Sequence, residues 1–387
     1  MLFSRTPPAH TGAVLMLGAG SVSAALFHVG GKDKIPRILA KEHKTIDSEK
    51  FIVQQQTFRL LREAVHHTLG EAAKKEASMP EIVYIGLESP FYISKTILIS
   101  RERKNPRLPL QKEELDNIIE SGETEFVKST FTGDFDDLKI FFREPIRIFL
   151  NGYPTKRAIG IAAKTIDLWI RYEATSEKLI ESLNASIQPQ FPHGKLLFSS
   201  LPTAYFSTLS YVTNLDDGLI LIDIREEITE LSFIIHNVLM KSVSIASGTE
   251  TLARRLRDSR KYSLSEARSF LNTYAHQSLA DRAKSLLQPL LKESINEWLK
   301  HVTLELKAFE QEEELPNRIF LVGVGASYDV YKDALNSQPT DAPFPHFTVT
   351  TLTTSAFQEH VQLANLSTGP EEFALASLLL QVSKNYL

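Results

Sequence analysis

Glycines paired at the ends of apolar runs are the residues whose spacing could do chemistry in this chain. Gly18-Ala19-Gly20 follows the run 13–17, and Gly323-Val324-Gly325 follows 319–322. Glycine lets a backbone adopt positive φ and come close to a ligand, so such turns can aim N–H groups at a phosphate. Neither completes the G-x-G-x-x-G spacing of a dinucleotide fold, because Ser23 and Tyr328 stand at the third glycine position. Taken alone, both are equally served by ordinary strand-turn-helix geometry. A second candidate is basic: Arg254, Arg255, Arg257, Arg260 and Lys261. They suit either a groove for an acidic peptide or a solvated helix face balanced by Asp258, Glu266 and the acids at 312–314. The eleven histidines include His66-His67 but no H-E-x-x-H, so no metal is assigned. There is no G-x-S-x-G elbow, and Ser199 and Ser200 read as turn residues.

Those residues sit in a chain of 387, 43% hydrophobic and 23% charged, enough for two or three domains. A net charge of -4 gives no electrostatic footprint for nucleic acid and directs attention to protein or small-molecule partners. Cysteine is absent, which removes disulfides and thiolate chemistry and fits a reducing compartment; the cytoplasm is the expected location. The uncharged stretch 11–31 superficially suggests a signal peptide or a membrane span. Gly18, Gly20, Ser21 and Ser23 break it into two strand-length pieces, which predicts a buried hairpin.

The elements that must position these turns occur in the same order twice. Strands at 14–17, 22–29 and 35–39 precede a helix from about 48 with Phe58, Leu61, Val65 and Leu69 on its inner face. Strands at 219–224, 230–236 and 239–245 precede helical sequence in which Leu291, Ile295, Trp298, Val302, Leu306 and Phe309 keep helical spacing. Strand-helix-strand-helix then follows in each half: 166–172, 176–183, 195–199 and 202–212 in the first, 319–324, 328–335, 347–352 and 371–384 in the second. Such units build mixed sheets covered on both faces, and two of them leave a cleft. Residues 81–160 interrupt the first half as an inserted block.

This order resembles the actin, sugar-kinase and Hsp70 superfamily, and the insertion narrows the resemblance to the FtsA and PilM branch. Glu81-Ile-Val-Tyr-Ile-Gly-Leu-Glu88 is similar to the opening strand of that branch's small inserted module, residues 109–120 to its helix, and Phe149-Leu150-Asn151-Gly152-Tyr153-Pro154 with Gly160 to its closing segment. Asp223 with Thr229 resembles the second phosphate motif, Ser247-Gly248 the turn after it, and Gly323 with Gly325 the adenosine motif. The resemblance implies an α/β fold of two duplicated actin-like (ribonuclease H-like) domains with mixed sheets facing a cleft, plus a small inserted α+β subdomain of SHS2 type. The implied boundaries are 1–80 with 161–215, the insertion 81–160, and 216–387, whose outer subdomain is 246–315.

Against the family pattern the remnant nucleotide positions, Gly18, Gly20, Asp223, Thr229, Gly248, Gly323 and Gly325, are incomplete. Met16 stands where the metal-positioning aspartate of the first hairpin belongs, and Arg225, Glu226 and Glu227 replace the glycines of the second. The two glutamates put negative charge where polyphosphate would lie. Arg268 and Leu271, aligned on Ala267, depart from the family's nucleoside-facing residues. The expectation is a pseudo-ATPase scaffold of cell division with no cofactor, ATP with Mg²⁺ and actin-like polymerisation being the alternative. Partners implied by the resemblance are an acidic FtsZ-like tail held by the basic cluster or, in the manner of PilM, a peptide of an inner-membrane protein. Self-association is left open, nucleic acid is not expected, and no terminal amphipathic helix is expected after 384, so membrane attachment would run through a partner rather than by direct insertion.

Overall fold

The computed structural model describes residues 10–30, 35–46, 54–75, 79–130, 137–275, 281–323, 328–337, 347–357, 359–362 and 372–385. The chain opens with β1 (His10–Leu17), β2 (Ser21–Val29) and β3 (Pro36–Thr45), then α1 (Gln54–Lys75) and β4 (Ile82–Leu87). Next come β5 (Ile93–Glu102), α2 (Lys112–Thr130), β6 (Leu138–Leu150), the two-residue β7 (Tyr153–Pro154) and β8 (Thr165–Ser176). α3 (Glu177–Ile187), β9 (Lys195–Ser200) and α4 (Leu201–Val212) complete the first half. Ser176 and Ser200 start their helices by accepting from the N–H of Leu179 and Thr203, and Pro202 fits the first turn of α4, where no N–H is needed.

The second half runs β10 (Leu219–Ile224), β11 (Thr229–Ile235), β12 (Val238–Ile245), α5 (Thr249–Arg260), α6 (Leu264–Ala275), α7 (Asp281–Glu310), β13 (Arg318–Gly323), α8 (Tyr328–Asn336), β14 (Thr348–Thr351) and α9 (Phe373–Asn385). Its sheet has the order β12-β11-β10-β13-β14, and the first sheet has the matching order β3-β2-β1-β4-β9. In each, two antiparallel pairs lead into two parallel ones. The stretch predicted as a buried hairpin is one, with His10 opposite Val29 and Leu17 opposite Val22.

Strand allocation corrects two expectations. The strand at 82–87 does not open the inserted block: it lies beside β1 in the first sheet, Gly12 opposite Ile82. The strand at 166–172 belongs instead to a separate sheet, β5-β8-β6-β7, which α2 covers. The physical reason is visible in the residues. A parallel strand buried on both faces is apolar throughout, as Ile82-Val83-Tyr84-Ile85-Gly86-Leu87 is, whereas β8 alternates Ile166, Leu168, Ile170 and Tyr172 with polar or half-exposed neighbours. The block between β4 and α3 is thus β5, α2, β6, β7 and β8.

The last helix, α9, lies between the sheets with α4, and its Ala374, Leu375, Leu378, Leu379 and Val382 share a core with Val14, Met16 and Phe27 of the first sheet and Leu221, Ile234 and Phe320 of the second. The outer face of the first sheet is covered by α1 and α3, that of the second by α5 to α8. Gly86 lets α9 settle on β4, since a Cβ there would lie 2.5 Å from Leu378 Cδ1. Gly86→Val is predicted to lower the melting temperature, at a cost of about 1–3 kcal/mol from overpacking; thermal denaturation followed by circular dichroism checks it.

Candidate functional site

The turns that could carry chemistry converge between the two sheets, where the β10–β11 hairpin reaches across to the first. Its turn closes through Arg225 N–H to Ile228 O at 2.8 Å. The Arg225 side chain is buried, donating from Nε to Asp223 Oδ2 at 2.9 Å and from Nη2 to Tyr205 Oη at 2.5 Å. Tyr205 in turn donates to Asp223 at 2.7 Å. Glu88, just beyond β4 and equally buried, places Oε1 3.6 Å from Arg225 Nε. One guanidinium therefore joins a carboxylate of its own half to one of the other. Burial opposes the charge on Arg225, but Asp223, Tyr205 and Glu88 hold it protonated, and burial likewise keeps the Tyr205 phenol un-ionised.

The glycines are filled by the chain itself. A Cβ on Gly18 would lie 2.3 Å from Glu88 Oε2, and one on Gly20 would lie 2.5 Å from Glu226 Cβ. At Gly248 it would meet backbone, 2.3 Å from Arg225 O and 2.5 Å from Glu226 O. Those same carbonyls accept from the first turn of α5, Thr249 N–H to Arg225 O at 2.9 Å and Glu250 N–H to Glu226 O at 2.8 Å. A helix N-terminus is a ready anion site because its first N–H groups lack partners. Here Thr249 and Glu250 have them.

A second buried network adjoins the first. Arg171 on β8 donates to Glu173 and to Thr203, both at 2.8 Å, and Ser200 and Thr203 donate to Glu173 at 2.9 and 2.7 Å. Tyr92 donates to Glu230 on β11, which Ser244 also reaches at 3.3 Å. Across the two networks the buried carboxyls are Glu88, Glu173, Asp223 and Glu230, against two cations, Arg171 and Arg225. The excess of two is relieved by protonation: burial above all pushes Glu88 and Glu230 up to about 8.

No known family model matches the chain, and no curated protein does. Solved structures do. The PilM-PilN type IV pilus biogenesis complex is similar at a TM-score of 0.67 and 14% identity, over 96% of this chain and 98% of that one. A Bacteroides thetaiotaomicron protein of unknown function with an actin-like ATPase fold aligns at 0.45 and 10% over 96% and 95%, and an ethanolamine utilization protein from Carboxydothermus hydrogenoformans at 0.47 and 10% over 97% and 90%. The chain has the actin-like fold.

The resemblance seen in the sequence would place ATP with Mg²⁺ at these turns, where the residues present are already engaged by the protein. Asp223 is bound to Arg225 and Tyr205. Thr229 donates to Ser247 O at 2.8 Å and accepts from Trp298 Nε1 at 2.9 Å. Met16 offers a thioether where a hard cation needs oxygen, and among the described residues no three His, Asp or Glu are grouped to hold a metal. Beside these turns a cavity of about 410 Å³ is open, lined by Met16, Ser23, Lys41, His43, Glu226, Thr249, Glu250 and Glu372 among others. Its Ser23 and His43 lie 2.8 Å apart, Lys41 pairs with Glu372, and Glu226 faces it. A triphosphate would meet that carboxylate.

Other residues singled out in the sequence are placed as follows. Arg225 and Glu226 fill the cleft as their bulk implied, but Glu227 turns to α5 and takes a two-point contact from Arg254 at 2.7 and 2.9 Å. Arg255 pairs with Glu297 and Arg257 with Asp258; Lys261 ends α5 with φ 57°. Much of the basic cluster's charge is thus met within the chain. Arg268 holds Glu250 at 2.8 and 3.0 Å, and Leu271 is core. Gly323 ends β13, and Gly325 lies outside the described residues. Sequence reasoning missed Glu88, Tyr92, Arg171, Glu173 and Glu230; for all but Tyr92 the signal available was a charged residue directly after, or inside, a largely buried strand.

Two outcomes follow from this packing. Gly248→Ala is predicted to lower the melting temperature without any nucleotide present, by about 1–3 kcal/mol of stability, because the obstruction is backbone; thermal denaturation of the unliganded protein checks it. Glu88 and Glu230 have folded pKa values of about 8 against 4.5 for the free side chain, so their stability contribution is complete below 4.5 and is lost as pH rises through 8. The melting temperature should therefore fall across that window, and Glu88→Gln, neutral at every pH, should flatten the slope.

Proposed function

We propose that this chain is a pseudo-ATPase adaptor, which acts by holding a peptide of a protein partner and does not turn over nucleotide. The observation that carries the reading is the hydrogen bonding of Thr249 and Glu250 to the Arg225 and Glu226 carbonyls, which commits the cleft's phosphate-facing donors to the protein itself. Hydrolysis needs those donors and a metal-positioning carboxylate; Met16 supplies none.

For the partner, the likeness to PilM, solved in complex with PilN, supports a peptide clamp. A groove of about 730 Å³ runs between α2 and the start of β6, lined by Glu123, Val127, Lys128 and residues 138–143. β6 pairs with β7 only at Phe149 and Leu150, so the outer edge of its first half has no strand neighbour among the described residues. An extended peptide can pair with such an edge while its side chains enter the groove. The phrase Leu150-Asn151-Gly152-Tyr153, likened above to the closing segment of the inserted module, is explained by turn chemistry: Asn151 and Gly152 have φ of 52° and 81°, as a two-residue hairpin requires.

Calorimetric titration with ATP, with and without Mg²⁺, should give no heat, and the melting temperature should not rise; tight Mg²⁺-dependent binding would contradict the reading. In pulldowns, an N-terminal peptide of an inner-membrane protein should be retained in preference to an FtsZ tail, and Ile140→Pro, which breaks the open edge, should release it.

A further inference from the structure

The far end of the inserted sheet carries a surface that the adaptor reading does not use. Leu108, Tyr153, Ile159 and Ile161 are 44–76% exposed, half of the eight most exposed large apolar side chains among the described residues. They come from two segments, 104–111 and 151–164, which the fold ties together. Leu110 N–H donates to Ile161 O and Gly160 N–H to Leu110 O, both at 2.9 Å, Pro109 bridges Ala162, and Asn151 Oδ1 accepts from Lys164 N–H at 2.7 Å. Beneath them Leu110, Ala158 and Ala163 are buried, and Arg103, held by Glu114 through two bonds of 2.8 Å, anchors Leu108 O and Ala163 O. The tip is a built feature, held rigidly from below.

Its charge is opposite to that of the molecule. The chain as a whole is at -4, yet these two segments contain Lys104, Arg107, Lys156, Arg157 and Lys164 and no Asp or Glu. Lys164 pairs with Glu102 at 3.3 Å; the other four are exposed. A Cβ added at Gly152 or Gly160 would meet nothing within 4 Å, so the backbone on either side of these apolar side chains is open. Exposed apolar side chains on segments that also carry exposed cations and no acids suit a plane that is anionic outside and apolar just below.

We propose that this tip docks on the surface of an anionic phospholipid bilayer, Ile159 and Ile161 entering the headgroup layer while Lys104, Arg107, Lys156 and Arg157 meet lipid phosphates. The contact is peripheral and stands independently of what the cleft or the α2–β6 groove binds. It adds a direct membrane contact to the partner-mediated attachment that the sequence suggested. No helix among the described residues is long and apolar enough to cross a membrane, and the tip is the one place where we assign the chain a lipid-facing surface.

Flotation of the full chain with phosphatidylcholine vesicles containing phosphatidylglycerol, against pure phosphatidylcholine vesicles, tests this. The expected result is binding to the anionic vesicles alone, lost at high salt. Charge reversal (K104E/R107E/K156E/R157E) should weaken it by about tenfold or more, and I159S/I161S by several-fold, with melting temperatures unchanged because these side chains are exposed. The single variant I159W leaves all charges in place and should show a blue-shifted emission on anionic vesicles only. Absence of binding, equal binding to both vesicle types, binding indifferent to the variants, or capture by poly-glutamate without capture by vesicles would each overturn the assignment.

Discussion

The contact of Arg225 with Asp223 and Glu88 is the constraint on which the arrangement of the two halves depends. A guanidinium taken wholly out of water is tolerated only when carboxylates and hydroxyls surround it, and losing one partner leaves the rest unpaired in a low-dielectric interior. Bringing Glu88 Oε1 to 3.6 Å from Arg225 Nε needs the ends of two sheets close together, which in turn needs turns without side chains. Gly18, Gly20 and Gly248 provide that space, and the space is taken by Glu88, Glu226 and the backbone of 225–226. A geometry suited to cradling phosphate thus serves the protein's own closure.

Around that contact the fold leaves few ways to open. α4 and α9 form one apolar layer shared by both sheets, so separating the halves would expose side chains from each. The inserted sheet joins the same system, because Arg171 and Glu173 on β8 bond Thr203 and Ser200 at the start of α4, while Thr96 reaches Met240 O at 3.1 Å and Arg147 meets Glu313 at 2.6 Å. Buried polar groups that bond one another across elements fix how those elements sit together. These contacts tie the two main sheets and the inserted sheet to one another.

Much of this was legible in the residues. The repeated three-strand meander, the 11–31 hairpin and the helical spacing of Leu291 to Phe309 follow from period and turn chemistry, and all are found. Sheet membership was harder. Residues 82–87 and 166–172 both read as strands, and only the contrast between unbroken and alternating apolar pattern separates a doubly covered parallel strand from one in a sheet with a single covered face. The role of Glu88 was hidden because nothing local marks a carboxyl as buried: its neighbours come from residue 18 and residue 225. Arg225 was legible as bulk but not as a bridge, and the direction taken by Glu227 depends on Arg254, a turn of helix away in space and 27 positions along the chain.

Hydrogen exchange at the amides of Thr249 and Glu250 tests the central claim most directly, since the proposed loss of nucleotide binding rests on their bonds to the Arg225 and Glu226 carbonyls. If the cleft is closed by the chain itself, both amides are protected in the nucleotide-free protein and their exchange is unchanged by excess ATP with Mg²⁺. Rapid exchange without nucleotide, with protection appearing when ATP is added, would contradict it and return the cleft to a ligand.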